Sequence, residues 1–327
     1  MEKMELIYLT RKNVIDTGIT LKEAVVTAEK VLVEHGNRNF QNPPKPGVFP
    51  LSDAFLNAMP AYLPGLNALG IKWVSVFSSN PKLGIPSTMG IIILNDVNTG
   101  QPIAVMDGGY ITAQRTAAAS GVAAKYLANK DSKVMGIVGT GEQARFHLNV
   151  LTEVLKEIEL VKVYDINEKI TRKFIDTMRK QVSCKIVDSP SIEAVIRESD
   201  VVVTATGDLT GKPPIFMEEW LKEGVHVLPV HNHGWEFSAL QNADKFVVDD
   251  WNQYSTLFHI DDYNPKLPPL YAELSEIIVG KKKGRETKSE KIVSMHEGMA
   301  MHDLALASQV VKVAKEKGLG IILPYME

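Results

Sequence analysis

Between residues 21 and 35 apolar side chains return at steps of three and four, at Leu21, Ala24, Val25, Ala28, Val31 and Leu32. That spacing lines one face of a helix. A Pro- and Asn-rich stretch from Asn37 to Pro50 then reads as a loop. From Gly70 to Phe77 the pattern changes to the alternation of a strand. Ile91–Leu94 and Ile103–Met106 flank Asp96-Val97-Asn98-Thr99-Gly100, a β-hairpin with Gly in its turn. An Ala-rich helix is predicted from Thr112 to Ala128.

Beyond Lys133 short apolar runs alternate with helical stretches. Strands are expected near 133–138, 160–164, 183–187, 200–204, 225–229 and 245–248. Such alternation marks a doubly wound parallel sheet. The basic turn Gly280-Lys281-Lys282-Lys283-Gly284-Arg285 reads as a solvated loop. A final helix, Ala300 to Lys317, is expected to pack back on the N-terminal domain. The predicted fold is α/β: a doubly wound (Rossmann) domain at 126–302, and a discontinuous α+β domain at 1–125 and 303–327.

The length of 327 residues agrees with two domains. A net charge of −3 without a basic stripe argues against nucleic acid as a partner. No apolar run reaches the roughly 18 residues of a membrane helix. The first residues lack a signal peptide's apolar core, and the single Cys184 forms no internal disulfide; the expected location is the cytoplasm.

Chemistry enters at Lys133-Val134-Met135-Gly136-Ile137-Val138-Gly139-Thr140-Gly141-Glu142-Gln143-Ala144-Arg145. An apolar strand runs through Gly-x-Gly-x-x-Ala into a helix, and the next strand ends in Asp165. This is the dinucleotide fingerprint in its proper setting. Gly139 permits the tight turn, Gly141 lets backbone approach a pyrophosphate, and Ala144 allows close helix packing. The helix start offers N–H groups to phosphate. Asp165 accepts ribose hydroxyls, and no Arg follows it to receive a 2′-phosphate. NAD(H) is therefore favoured over NADP(H), and a flavin is disfavoured by the long segment ahead of the motif. Ala205 and Thr206, ending the run Val201–Thr204, are expected to line the cofactor crevice.

Two charges stand in apolar surroundings. Lys72 shares a strand face with Val74 and Val76, and Arg115 is the only charged residue between Tyr110 and Ala124. Such cations suit a substrate carboxylate. The alternatives are a Lys reaching solvent at a strand edge and an ion pair of Arg115 with Asp107.

Gly70-Ile71-Lys72, Asp96-Val97-Asn98-Thr99-Gly100-Gln101-Pro102, Arg115-Thr116-Ala117-Ala118, the Gly139–Arg145 motif and Gly298-Met299-Ala300-Met301-His302-Asp303 follow in order. Together they resemble the ornithine cyclodeaminase/mu-crystallin family, which includes alanine dehydrogenases and ketimine reductases. The resemblance implies a homodimer and an enzyme acting on small α-amino or α-imino acids. It makes Lys72 and Arg115 the carboxylate-binding and catalytic cations, with Lys45 where the family carries a further Arg. Cofactor contacts are implied at Ser87 (Thr88 adjoining), Arg115, Thr116, Glu142, Gln143 and His296. His233, in His231-Asn232-His233-Gly234, stands where the cyclodeaminases carry a catalytic Asp. An imidazole moves protons near neutral pH but supplies no fixed negative charge. The resemblance thus implies an NAD-dependent imine reductase or amino-acid dehydrogenase. Ornithine cyclodeamination and a non-catalytic crystallin-like binding role are the alternatives. No metal is expected: His231, His233, Asp249, Asp250, His259, Asp261 and Asp262 follow no metal-ligand spacing.

Overall fold

A computed structural model describes residues 4–207, 209–257 and 262–326. The chain divides into two compact units, Met1–Arg115 with Gly298–Glu327, and Thr116–Glu297. The sequence pattern puts the divisions at 125/126 and 302/303. Helical periodicity continues unbroken through the first division, so nothing local marks it.

The first unit opens with β1 (Met4–Leu9), α1 (Arg11–Asp16) and α2 (Leu21–Gly36). Then come β2 (Gly47–Leu51), β3 (Ala54–Leu63), β4 (Ala68–Phe77), β5 (Thr88–Asn95) and β6 (Pro102–Asp107), and α3 (Gly109–Leu127) leaves it. Its sheet has the order β15-β1-β6-β5-β4-β3-β2, where β15 is Ile321–Met326. Among the described residues only β1 and β6 pair in parallel in this sheet. The helix α10 (Ala300–Glu316) lies on β3, β4 and β5, and α2 packs against it. Its residues Ala300 to Ala307 are all buried, as small and apolar side chains allow. The expected helix, hairpin and Ala-rich helix are present. The stretch 37–50 is not all loop, since β2 begins at Gly47, and β3 follows where no strand was read. Pro50 and Pro60 interrupt the alternation there, and β2 is exposed throughout, so neither strand carries a period-two signal.

The second unit contains β7 (Val134–Val138), α4 (Glu142–Val154), β8 (Leu160–Tyr164), α5 (Glu168–Met178), β9 (Lys185–Asp188) and α6 (Ile192–Ile196). It continues with β10 (Val201–Thr204), β11 (His226–Pro229), α7 (Phe237–Gln241), β12 (Lys245–Val248) and α8 (Trp251–Leu257). β13 (Ala272–Glu273), α9 (Leu274–Ile278) and β14 (Ile292–Met295) complete it. The sheet is parallel throughout, in the order β13-β12-β14-β11-β10-β7-β8-β9. All six expected strands are present. β13 and β14 are additions: two and four residues long, they follow Pro- and Lys-rich stretches that the sequence pattern reads as loops. Strand order reverses at β7, with β8 on one side and β10 on the other. That switch point is where α/β sheets bind ligands.

Candidate functional site

In the second unit the fingerprint forms a cradle at the carboxyl end of β7. Gly139 has φ +87°, and a Cβ on it would lie 2.4 Å from the Ala205 carbonyl oxygen. Only glycine fits, because the turn presses against the chain leaving β10. Gly141 differs. A Cβ there would meet nothing within 4 Å, so its backbone faces open space. Gly141 is also the N-cap of α4 and brings no side-chain cap. A pyrophosphate fits this combination of open backbone and helix start, and Glu142 and Gln143 supply the first helical turn. Ala144 is fully buried, as close packing requires.

Asp165 is tied to the same turn. Its Oδ2 accepts the Thr140 N–H at 2.8 Å and the Thr140 hydroxyl at 3.1 Å, while Oδ1 accepts the Asn167 N–H at 3.0 Å. A carboxylate accepts about four hydrogen bonds, so Oδ1 retains capacity for a ribose hydroxyl. Beneath the turn, His147 on α4 is fully buried and its pKa is pushed down to about 4, chiefly by burial. Its Nδ1 donates to the Gln143 carbonyl at 2.8 Å, and Nε2 accepts from the Ser120 hydroxyl at 3.0 Å. This neutral ring pins α4 to α3.

The ends of β10 and β11 meet beside the cradle. The Thr206 hydroxyl donates to His231 Nε2 at 3.0 Å, and His231 Nδ1 donates to the His233 carbonyl at 2.7 Å. The Phe216 ring stacks on His231. His233 is buried, and its Nδ1 accepts from the Asn264 side-chain amide at 3.3 Å. With Nδ1 accepting, the ring proton resides on Nε2. His296 follows β14 and lies near enough to His147 and His226 to lower their pKa values. Asp249 and Asp250 accept backbone N–H groups from Asp250 and Glu297 and from Gln253, respectively. His259 and Asp261 lie outside the described residues.

The first unit holds the cations. Lys72 on β4 is 1 % exposed, on the inner face with Val74, while Trp73 faces outward. Its ammonium donates to Asp303 Oδ2 at 2.7 Å and to the Thr112 hydroxyl at 3.4 Å. Arg115 on α3 is 7 % exposed and donates through Nε to Asp303 Oδ1 at 3.0 Å. Thus Lys72 does not reach solvent, and Arg115 does not pair with Asp107. Asp107 instead accepts the Tyr110 N–H at 3.0 Å at the start of α3. Burial and the charge of Arg115 lower the Lys72 pKa to about 7, against the pull of Asp303. Burial opposes ionisation of Asp303 as well, but Arg115 and Lys72 together hold its carboxyl below the usual range. Lys45 is half-buried and near enough to weigh on Lys72. Ser87 is half-buried ahead of β5, and its carbonyl accepts the Phe77 N–H at 2.8 Å. Thr116 follows Arg115 on α3 as the first residue of the second unit.

Asp303, Thr112 and Asn264 are the residues that sequence reasoning left without a role. A signal existed for Asp303 alone, an acid inside the apolar run Met299–Leu306.

The model of the ornithine cyclodeaminase/mu-crystallin family matches residues 7–318. The chain is 36 % identical over 319 residues to the nodulation efficiency protein of Rhizobium meliloti, covering 97 % of this chain and 98 % of that one. It is 36 % identical over 328 residues to the alanine dehydrogenase of Archaeoglobus fulgidus, with the same coverage. Among solved structures, the Δ1-pyrroline-2-carboxylate reductase of Thermococcus litoralis, in complex with NADH and L-proline, superposes with a TM-score of 0.87. That pair shares 34 % identity over 97 % of this chain and 99 % of the other. With the family's motifs in order and the match running almost end to end, this chain belongs to the ornithine cyclodeaminase/mu-crystallin family.

Proposed function

We propose that the protein is an NAD(H)-dependent oxidoreductase acting at the C–N bond of a small α-amino or α-imino acid. One observation carries the reading. Arg115 is a buried guanidinium bonded only through Nε, to a carboxylate that also serves Lys72. Two cations share one anion, and Nη1 and Nη2 make no other hydrogen bond among the described residues. A buried surplus of positive charge calls for an anionic ligand. A substrate carboxylate on Nη1, Nη2 and the Lys72 ammonium supplies it.

The cradle of Gly139, Gly141 and the start of α4 suits a dinucleotide, and Asp165 suits an unphosphorylated ribose. When bound, NAD(H) supplies or accepts the hydride. Lys72 and Arg115 hold the acid group and so fix the neighbouring carbon. Lys45 adds positive charge, and Ser87, Thr116, Ala205, Thr206 and His296 serve as further cofactor contacts. His233, with its proton on Nε2, donates that proton to the substrate nitrogen in one direction and takes one in the other. The alternative of ornithine cyclodeamination asks for a fixed negative charge where His233 stands.

The working form is a homodimer. On the outer face of the first unit's sheet, Trp73 and Ile91 form a cross-strand pair that is 43 % and 48 % exposed. Exposed apolar surface of this kind is what partners cover, and β15 at the edge of the same sheet is exposed along its whole length. Among the described residues no helix is long and apolar enough to cross a membrane.

The test is NADH oxidation with keto acids plus ammonia or methylamine, and with Δ1-pyrroline-2-carboxylate. Turnover of at least one member is expected, by a species of dimeric mass in light scattering. Conversion of ornithine to proline with no NADH oxidation by any member would establish the cyclodeaminase instead. NADH binding without turnover of anything would establish the crystallin-like role.

A further inference from the structure

We infer that Asp303 is the positioning residue of the carboxylate clamp: it sets the placement of Lys72 and Arg115 and supplies the negative charge that lets both remain buried. This rests on the reading that these two cations receive a substrate carboxylate.

The geometry is specific. Asp303 is fully buried on α10 and gives one oxygen to each cation, Oδ2 to Lys72 at 2.7 Å and Oδ1 to Arg115 Nε at 3.0 Å. Because the second oxygen is already taken, Asp303 does not engage the Arg115 fork from its outer edge. The Nη pair is left for a ligand, and the fork shape is what makes such a pair useful. The lead-in to α10 adds a second constraint. Gly298 has φ +80°, and a Cβ on it would lie 2.4 Å from Nη1 and 2.9 Å from Nη2. The guanidinium therefore packs on bare backbone just before the helix that carries Asp303. Lys72 is steadied from α3 by Thr112, whose own hydroxyl proton goes to the Gly108 carbonyl at 2.6 Å.

Charge makes the assignment testable. The groups acting on the Lys72 ammonium are Arg115 on α3, Asp303 on α10 and Lys45 ahead of β2. α10 also carries His302 beside Asp303. β5 brings no ionisable side chain, and β3 only Tyr62, which is paired with Leu69 rather than with Lys72. Of the three charges acting on it, only Asp303 favours the ammonium; burial, Arg115 and Lys45 all oppose it. Without that carboxylate Lys72 gives up its proton at a lower pH than in the wild type, and at neutral pH the clamp keeps one cation.

The experiment compares wild type with Asp303→Asn, which keeps the size and removes the charge. On Δ1-pyrroline-2-carboxylate with saturating NADH, the variant should lose at least about tenfold in kcat/KM at pH 7.5, mostly through KM. The loss should shrink as pH falls from 7.5, as Lys72 in the variant regains its proton. A loss equal at every pH from 6 to 9 would overturn the assignment, since a merely structural role is not rescued by acid. Melting temperatures without substrate give a second readout, valid even where no imine is turned over and the functional reading itself fails. Asp303→Asn should lower the melting temperature, and Lys72→Met added to it should restore part of that loss, because it removes a buried polar side chain that has lost its partner. Additive losses in the double variant would equally overturn the assignment.

Discussion

The dinucleotide cradle and the cation clamp are both proposed to receive an anion, and they are built for it by opposite means. The cradle uses backbone: two glycines, a helix start and a carboxylate that braces the turn through Thr140. No side-chain cation takes part among its hydrogen bonds. The clamp uses side-chain charge alone, with Lys72, Arg115 and Asp303 joined from three elements. A backbone site tolerates most changes around it but none that adds a Cβ at the tight point. A charge site tolerates changes of shape but not of balance, because any ion left unpaired in a dry interior is costly.

The largest expected effect lies in the clamp. Arg115→Ala removes the fork and leaves Asp303 paired with Lys72, so the fold survives. Truncating one partner of a buried, hydrogen-bonded charge pair between protein and ligand costs about 2–5 kcal/mol of binding, which translates to roughly 30- to 5,000-fold in kcat/KM for the imino acid. NADH affinity measured by fluorescence should change far less. Equal losses in both measurements would show that the clamp grips the cofactor rather than the substrate.

The cradle is broken by contrast between its two glycines. Gly139→Ala forces a Cβ against the Ala205 carbonyl at a left-handed φ, and strain of this kind costs about 1–3 kcal/mol. Both melting temperature and NADH affinity should fall. Gly141→Ala meets no protein atom within 4 Å. It should leave the melting temperature unchanged and weaken NADH alone. Should Gly141→Ala bind NADH as wild type does, the phosphates do not lie against that backbone.

The clamp should also show a pH signature that the cradle lacks. Lys72 has a pKa lowered to about 7 from 10.5, and on the proposed reading its ammonium form is the one that receives a carboxylate. Log kcat/KM should therefore fall with unit slope as pH rises above about 7. Stability runs the other way. Between about pH 7 and 10.5 the unfolded chain holds the Lys72 proton and the folded chain does not, so this group's contribution to stability grows with rising pH and is lost as pH falls toward 7. A flat kcat/KM profile from pH 6 to 9 would mean that the ammonium is not part of substrate capture.

The two regions were also unequally legible. The cradle's parts lie within 27 residues, from Gly139 to Asp165, and each follows from local rules: an apolar strand, a Gly-x-Gly turn, an acid at the next strand's end. The parallel sheet was legible for the same reason over β7 to β12, where short apolar runs alternate with helical stretches. The clamp was half legible. A lone charge in an apolar stretch marked Lys72 and Arg115, but the partner that gives them meaning is 231 and 188 residues away in sequence. Asp107 was the obvious nearby partner for Arg115, and the start of α3 takes it instead. Long-range charge pairing has no period and no spacing, so a single sequence does not reveal it. The same holds for Asn264 against His233, 31 residues apart.

The smallest predicted effect sharpens the comparison at the one place where the cradle does use charge. Asp165 braces Thr140 and retains an acceptor position on Oδ1, so on the proposed reading it serves the choice of ribose as well as the turn's shape. Asp165→Ser removes the repulsion of a 2′-phosphate and keeps a hydroxyl within the turn. Exposed or half-exposed charges are worth about 1 kcal/mol or less each, so the NADH-over-NADPH preference should narrow by roughly fivefold and not invert. The lost Thr140 contacts should cost about 1 kcal/mol of stability. Competition of NADPH against NADH, read alongside a melt, separates these two consequences. An unchanged preference with a lowered melting temperature would make Asp165 a brace for the turn and nothing more, and NAD selectivity would then have to come from elsewhere around the ribose.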